Sequence, residues 1–243
     1  MTLEAEGPVE LRHSARRVKM ISDHMRATKY LEVGVAGGKT LFTVDIAQRT
    51  AVDPRFRFDK AEKAAPGLQL FEMTSDEWFL KHSHGQVFDI IFLDGLHTFE
   101  QTFRDFCNSL SVAHSNTVWI IDDTVPSDYY SAWPDQRPAV AQRQADFRRE
   151  KISGAWHGDV YKVIFAIHDF FPLLSYCTAT TTGNPQTIIW RQPRLDFQPK
   201  YNNLETISRL NFMDFRREFD LMRPKSESKA MEEVLSRTMT PIA

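Results

Sequence analysis

Apolar runs of strand length alternate with segments of helical spacing through the first half of the chain. Strands are predicted at 30–35, 50–53, 68–73, 88–94 and 117–121, and helices at 8–27, 40–49, 78–82 and 98–111. The fourth strand reads Phe88-Asp89-Ile90-Ile91-Phe92-Leu93-Asp94, a nearly continuous apolar run that is typical of a parallel strand covered on both faces. This alternation predicts a doubly wound, mostly parallel α/β sheet with right-handed crossovers.

The pattern changes in the second half of the chain. Helices are predicted there at 140–150, 158–171, 214–222 and 228–237, and strands at 173–180 and 186–191. The two strands flank Thr182-Gly183-Asn184-Pro185, a sequence typical of tight turns, and complete a seven-stranded sheet as an antiparallel pair. The predicted organisation is an N-terminal helical segment (1–28), a main domain (29–191) and a C-terminal helical tail (192–243).

Composition and charge narrow the class of protein. The 243 residues are 42% hydrophobic and 26% charged with a formal net charge of −2, which is typical of a soluble globular protein and gives no electrostatic footprint for nucleic acid or an anionic membrane. No apolar run is long enough to span a membrane and no secretory signal is evident, so a cytoplasmic location is expected. Cys107 and Cys177 are predicted to be separate buried thiols, and Arg16-Arg17 is interpreted as part of a solvated helix face.

The first strand ends in a glycine-rich turn, Glu32-Val33-Gly34-Val35-Ala36-Gly37-Gly38. Ligands of parallel α/β sheets bind at the carboxyl ends of the strands, and glycine permits a close approach of backbone to ligand. A dinucleotide fingerprint would need glycine where Ala36 and Lys39 stand, and the spacing before Lys39-Thr40 is wrong for a phosphate-binding loop.

The turn resembles instead the acidic-x-Gly-x-Gly-x-Gly motif of class I S-adenosylmethionine-dependent methyltransferases, with Glu32, Gly34, Ala36 and Gly38 at the motif positions. Ala36 departs from the commonest form. The resemblance implies that Asp53, at the end of the second strand, accepts hydrogen bonds from the ribose of the donor. It also implies that Ser75 and Asp76 lie at the adenine. From the residues alone, Asp53 could instead be a turn residue before Pro54, and Ser75 could equally be a helix cap.

Three carboxylates follow neighbouring strands: Asp94 after the fourth, and Asp122 and Asp123 after the fifth. Crowded carboxylates repel one another unless a cation neutralises them, and all-oxygen ligation suits Mg²⁺ or Mn²⁺. The alternative is that one aspartate caps the next helix while the others are solvated.

The segments Asp94-Gly95-Leu96-His97 and Ile121-Asp122-Asp123 resemble those of metal-dependent small-molecule O-methyltransferases, of the catechol type and the antibiotic-sugar type. The resemblance covers about 30–191. It implies a metal on Asp94, Asp122 and Asp123, His97 as the base, and an acceptor hydroxyl on a small molecule or sugar. His97 could instead be a capping or core residue. A metal-independent methyltransferase and a non-catalytic protein that binds S-adenosylmethionine stay as alternatives.

Two further regions are interpreted as flanking the acceptor. Residues 124–157 are predicted to form a lid that contains Tyr129, Tyr130 and Trp133, and the segment 156–162 could close over the acceptor through Asp159 or Lys162. These aromatic residues could equally pack the loop. The tail is expected to pack on the domain or on a second copy of the chain.

Overall fold

The computed structural model describes residues 11–147 and 155–238, which form an α/β fold around one central sheet. The strands are β1 (Lys29–Val33), β2 (Gln48–Asp53), β3 (Leu68–Glu72), β4 (Phe88–Leu93), β5 (Ala113–Ile121), β6 (Leu174–Ala179), β7 (Gln186–Arg191) and β8 (Pro224–Lys225). The helices are α1 (His13–Met25), α2 (Ser75–Lys81), α3 (Phe99–Ser109), α4 (Gln136–Asp146), α5 (Tyr161–Phe170), α6 (Leu204–Ser208), α7 (Phe212–Arg217) and α8 (Glu227–Arg237). Short 3₁₀ turns follow α3 and α7.

The strand order is β3-β2-β1-β4-β5-β7-β6-β8, and β7 alone runs antiparallel to its neighbours. The chain moves outward from β1 to β3 and then returns to β4 on the other side of β1, so the order reverses between β1 and β4. This confirms the predicted doubly wound, mostly parallel sheet. The carboxyl ends of β1 and β4 therefore flank the crevice in which ligands of such sheets bind.

Both faces of the sheet are covered. In β1, Leu31 and Val33 pack on one face with α2, α3 and α5, whereas Tyr30 packs on the other with α1 and α8. Successive side chains of a strand point to opposite faces, so a strand covered on both sides needs apolar residues at nearly every position. The apolar run of β4 meets that need.

One predicted helix is absent. The segment predicted as a helix at 40–49 is a series of turns, in which Phe42 N donates to Gly38 O (3.0 Å) and Thr43 Oγ1 to Lys39 O (2.7 Å). β2 already begins at Gln48, and the β-branched residues of the segment have low helix propensity. Val44 is buried against the sheet instead, so tertiary packing overrides the weak helical pattern.

Other boundaries differ by a few residues. Ser75 is the first residue of α2 rather than its cap, because Thr74 Oγ1 accepts the hydrogen bond from Glu77 N (3.2 Å). α4 starts earlier than predicted, and the end of the predicted helix at 140–150 lies outside the described residues. The sheet has eight strands rather than seven, since Pro224 and Lys225 extend it beside β6. Two residues are too few to give a strand pattern in sequence.

The residues after β7 pack closely on the rest of the fold. Ile207 and Phe215 enter the core on the α5 face, and Met231 and Val234 of α8 enter the core on the α1 face. Burial of these side chains removes apolar surface from water, at about 25 cal/mol per Å². The division into a main domain and a tail stays a prediction.

The basic pair Arg16-Arg17 on α1 was predicted to be solvated, but the structure shows otherwise. The Arg17 side chain is fully buried, and its Nε lies 3.1 Å from Oε1 of Glu227, the first residue of α8. Arg16 Nη2 lies 2.8 Å from the same carboxylate. The prediction is wrong because the partner of this pair comes from the other end of the chain, which local sequence does not show.

The structure also bears on the predictions about the cysteines and about membrane-spanning segments. Cys107 and Cys177 are both free thiols, as expected; Cys177 is buried as predicted, whereas Cys107 is only partly buried. Among the described residues, no helix combines the length and the apolar character that a membrane crossing requires.

Candidate active site

A cleft of about 970 Å³ lies at the carboxyl ends of the strands. Ten of the eleven predicted site residues line this cleft, so the donor and acceptor candidates lie in one place: Glu32, Gly34, Ala36, Asp53, Ser75, Asp76, Asp94, His97, Asp122 and Asp123. Gly38 is the exception. Its positive φ of 71° and its contact with the Phe42 ring show that it shapes the turn rather than lining the cleft.

The ends of β1 and β4 touch at Gly34. Asp94 N donates to Val33 O (2.8 Å), and a Cβ on Gly34 would lie 2.0 Å from Asp94 O. Gly34 also has a φ of 85°, in the left-handed region that glycine adopts without strain. No larger residue can occupy this position without moving the strand end that carries Asp94.

Asp53 holds the glycine-rich turn. Its Oδ2 accepts hydrogen bonds from the backbone N–H groups of Val35 and Ala36, both at 2.8 Å, and its Oδ1 accepts one from Arg55 N at 2.7 Å. These contacts keep Ala36 in its left-handed conformation, with a φ of 46°. A carboxylate has about four acceptor positions, so three internal bonds leave little capacity for ribose hydroxyls.

Glu32 lies beneath the turn and is buried. Tyr30 donates its hydroxyl to Glu32 Oε2 at 2.8 Å. Burial raises the pKa of Glu32 to about 8, and the nearby charge of Asp53 adds to this although the Tyr30 hydrogen bond opposes it. At neutral pH, Glu32 therefore favours its protonated form.

Ser75 and Asp76 occupy another part of the cleft, at the start of α2. Gln101 Nε2 donates to Ser75 Oγ at 3.1 Å, and Arg104 forms a two-point ion pair with Asp76 at 2.8 and 2.9 Å. Asp105 of α3 also lines the cleft; burial raises its pKa to about 6. Sequence reasoning missed Asp105, since a polar residue on an amphipathic helix gives no sign that it faces a cleft.

The strand ladder positions the acids. Asp122 N donates to Leu93 O at 3.0 Å, so the acids after β4 and β5 lie side by side. Burial raises the pKa of Asp94 well above its ordinary value, and the charges of Asp122 and Asp123 add to this. Burial and the charge of Asp123 also raise the pKa of Asp122 to about 6.

His97 faces two of these acids. Its Nδ1 lies 2.6 Å from Oδ2 of Asp123, and its Nε2 lies 3.7 Å from Oδ1 of Asp94. The first contact lacks the alignment of a hydrogen bond, and it is an ion pair only when His97 is protonated. Burial lowers the pKa of His97, but the contact with Asp123 and the charge of Asp122 outweigh it, so the pKa is raised above its ordinary value. For Asp123, burial raises the pKa, but the contacts with His97 outweigh it and the pKa is lowered.

Among the described residues, Asp94, His97 and Asp123 form one group whose ligand atoms all lie within 4.8 Å of one another. Asp122 is not part of this group. Its Oδ1 accepts hydrogen bonds from Asp123 N (2.9 Å) and from Asn184 Nδ2 (2.6 Å). The structure thus brings His97 together with two of the three predicted ligands.

The segment before α5 covers His97. The ring of Trp156 stacks on the imidazole with centroids 5.1 Å apart and planes 5° apart. Gly158 makes this possible, because it has a φ of 63° and a Cβ there would lie 1.6 Å from His97 O. Of the residues predicted to touch an acceptor, Asp159 instead accepts a hydrogen bond from Phe99 N at 2.7 Å and pairs with Lys162.

Two further residues of the site were not assigned a role from the sequence. Asn184, in the turn between β6 and β7, contacts both Asp122 and Asp123. His157 is buried, and its Nε2 lies 3.1 Å from Asn184 Oδ1. An asparagine in a turn gives no sign of a function in the sequence. His157, in contrast, lies in the segment 156–162, which was predicted to close over the acceptor.

Comparisons with known proteins agree with the fold. Residues 19–124 match a protein family described as a methyltransferase domain. No curated protein sequence matches the chain. Among solved structures, a Staphylococcus aureus protein assigned as a caffeoyl-CoA O-methyltransferase is 14% identical, with a TM-score of 0.52 over 75% of this chain and 85% of that one. A Klebsiella pneumoniae protein assigned as an O-methyltransferase is 14% identical, with a TM-score of 0.50 over 76% of this chain and 81% of that one. At this identity, the two structures establish the fold.

Proposed function

We propose that the chain is a class I S-adenosylmethionine-dependent methyltransferase that transfers the methyl group to a hydroxyl of a small molecule or sugar; the methyltransferase-domain match and the fold support this. The glycine-rich turn, held in place by Asp53, would bind the donor, with Ser75 and Asp76 toward the adenine. A cleft of about 970 Å³ suits a donor and a small acceptor together.

One observation carries this proposal: His97 lies at the strand-end rim of the donor cleft with Nδ1 2.6 Å from Asp123 Oδ2. A hydroxyl is a poor nucleophile while it keeps its proton, so an alcohol acceptor needs a base beside it. A carboxylate on one ring nitrogen orients the imidazole and stabilises the imidazolium that forms when the other nitrogen takes a proton. Such a pair suits proton removal from an acceptor hydroxyl.

The residues present also fit a divalent cation. Asp94 and Asp123 offer oxygen atoms within 4.8 Å of each other and of a His97 nitrogen. Burial raises the pKa of Asp94, and the charges of Asp122 and Asp123 raise it further, so a cation beside these acids would be favourable. Asp94 and Asp123 would hold the cation, and Asp122 would add its charge beside them. When bound, a Mg²⁺ or Mn²⁺ ion would lower the pKa of a hydroxyl that it contacts.

The proposed reaction is an in-line displacement. The acceptor oxygen forms a bond to the methyl carbon of the sulfonium, and the carbon–sulfur bond breaks with its electron pair left on sulfur. His97 takes the hydroxyl proton. The stacked Trp156 ring fixes the plane of the imidazole and excludes water from one of its faces.

A second candidate is transfer without a metal. The specific support is that Asp123 already has a lowered pKa through its contacts with His97, so part of the local negative charge is compensated by the protein itself. In that case the His97–Asp123 pair alone would activate the acceptor.

Calorimetric titration with S-adenosylhomocysteine, in the presence of Mg²⁺ and then of a chelator, is the first test. Micromolar binding is expected in both conditions, and radiolabelled methyl transfer to a panel of catechols and hydroxylated sugars is expected only with the metal. No binding by the folded protein would contradict donor use. Transfer that persists after thorough chelation would favour the second candidate.

A further inference from the structure

Asn184 contacts both acids that follow β5. Its Nδ2 donates to Oδ1 of Asp122 and to Oδ1 of Asp123, each at 2.6 Å. Carboxylates only accept hydrogen bonds, so the nitrogen side of the amide must face them. One side chain from the turn between β6 and β7 thereby occupies one oxygen of each of the two neighbouring acids.

His157 fixes the orientation of this amide. Its Nε2 lies 3.1 Å from Asn184 Oδ1, so Nε2 carries the proton and donates it to the amide oxygen. Nδ1 of His157 is buried and makes no hydrogen bond within the described residues. Both ends of the Asn184 amide are therefore engaged.

The arrangement distinguishes the two acids. Asp122 Oδ1 takes a second hydrogen bond from Asp123 N, whereas Asp123 keeps Oδ2 free of Asn184 and directs it toward His97. Asp123 has a φ of 58°, which turns its side chain away from the path of the strand. Asn184 thus selects Asp123 rather than Asp122 for the group formed with Asp94 and His97.

A turn between two strands is usually mobile, but hydrogen bonds from Arg17 of α1 hold this turn in place. Arg17 Nη1 donates to the backbone O of Asn184 and to Gln186 Oε1, both at 2.7 Å, and Arg17 Nη2 donates to Thr181 O at 3.1 Å. The charge of Arg17 is compensated by Glu227. Gly183 allows the turn to pack closely against α1, since a Cβ at this position would lie 2.5 Å from His13 Cβ.

We propose that Asn184 is a positioning residue that orients Asp123 for cation binding, and that Arg17, paired with Glu227, braces it from outside the cleft. The proposal rests on the cation site described under the proposed function. The sequence offers no local sign of it, because α1, the hairpin and α8 are far apart along the chain.

Mn²⁺ binding by the whole protein, followed by electron paramagnetic resonance, tests the proposal without an acceptor. Asn184→Ala is expected to weaken Mn²⁺ binding at least tenfold while S-adenosylhomocysteine affinity changes less than threefold. Asn108→Ala, a matched change on α3 whose side chain makes no hydrogen bond among the described residues, is expected to leave both affinities unchanged.

The outcomes separate the two proposals. Mn²⁺ binding that is unchanged in Asn184→Ala would overturn the positioning role alone. A wild-type protein that binds S-adenosylhomocysteine but no Mn²⁺ would overturn the cation site and the positioning role together, and would leave metal-independent transfer.

A double-mutant cycle tests the brace. Arg17→Lys keeps the charge beside Glu227 but cannot reach all the acceptors that the guanidinium contacts. If Arg17 acts through Asn184, the double variant binds Mn²⁺ as weakly as Asn184→Ala and no more weakly. Additive losses, or an Arg17→Lys variant that keeps wild-type Mn²⁺ affinity while its Tm falls, would overturn the brace.

Discussion

Oδ2 of Asp123 lies 2.6 Å from Nδ1 of His97, although the two residues follow different strands. The contact needs both the left-handed turn of Asp123 and the ring plane that Trp156 imposes on His97. It gives the cleft a titratable pair in which each partner favours the charged form of the other.

His97→Ala tests this pair. We expect S-adenosylhomocysteine affinity to stay within about threefold and methyl transfer to fall by roughly 10²- to 10⁴-fold, the usual contribution of a positioned general base. Calorimetry and a radiolabel assay measure the two quantities. His84→Ala, on an exposed residue, serves as the control. Full activity in His97→Ala would remove His97 from the mechanism.

Removal of divalent metal is expected to abolish transfer and to leave donor binding intact, because the glycine-rich turn proposed to hold the donor is fixed by its own hydrogen bonds to Asp53 and needs no metal. Activity should return with Mg²⁺ or Mn²⁺, since both prefer oxygen ligands. The measurement is initial rate after dialysis against a chelator and after metal addition. Equal rates before and after chelation would disprove the metal requirement.

Gly158→Ala is expected to displace the segment that stacks on His97. The new Cβ would overlap His97 O, whereas Gly85, which has the same left-handed conformation, has no atom within 4 Å of such a Cβ. Gly85→Ala therefore carries only the cost of the left-handed backbone, and Gly158→Ala should be less stable than it by about 1–3 kcal/mol. Urea unfolding of the two variants gives the difference. Equal free energies of unfolding would mean that the segment before α5 can move away from His97 without loss of stability.

Glu32→Gln should stabilise the protein in a pH-dependent way. The pKa of Glu32 is about 8 in the folded protein against an ordinary value of 4.5, so the unfolded chain loses its proton first as pH rises. Wild-type stability contributed by this group is thus complete below pH 4.5 and falls progressively up to about pH 8. Glutamine cannot ionise and still accepts the Tyr30 hydrogen bond, so this loss is absent in the variant.

The expected difference in unfolding free energy is small at pH 4 and on the order of 2–4 kcal/mol at pH 8. Denaturant unfolding of both proteins across this range measures it, and Glu62→Gln, at an exposed position, controls for the loss of one negative charge. Parallel curves for wild type and Glu32→Gln would show that Glu32 is already ionised in the folded protein at neutral pH.

Local sequence patterns predicted the structure correctly where interactions between neighbouring residues determine it. The apolar run of β4 predicts a strand covered on both faces, and in a parallel sheet its end necessarily brings Asp94 to the same rim as the end of β5. The helix predicted at 40–49 failed for the converse reason: a weak helical pattern yields when nearby residues can bury Val44 against the sheet.

Partners that are distant in sequence escaped prediction. Arg17 has the local pattern of a solvated helix face, yet it is buried because Glu227 and the β6–β7 turn supply its acceptors. Asn184 belongs to a sequence typical of any tight turn, and only its contacts with Asp122 and Asp123 give it a role.

The amino-acid sequence by itself determined the parallel sheet, the glycine-rich turn and the set of acids at the strand ends, because strand pattern and glycine conformation depend on neighbouring residues. Only the tertiary structure decided which acid faces His97, what covers that histidine and what braces Asn184. Those choices depend on hydrogen bonds and packing between α1, the hairpin and the segment before α5, whose geometry exists only once the chain has folded.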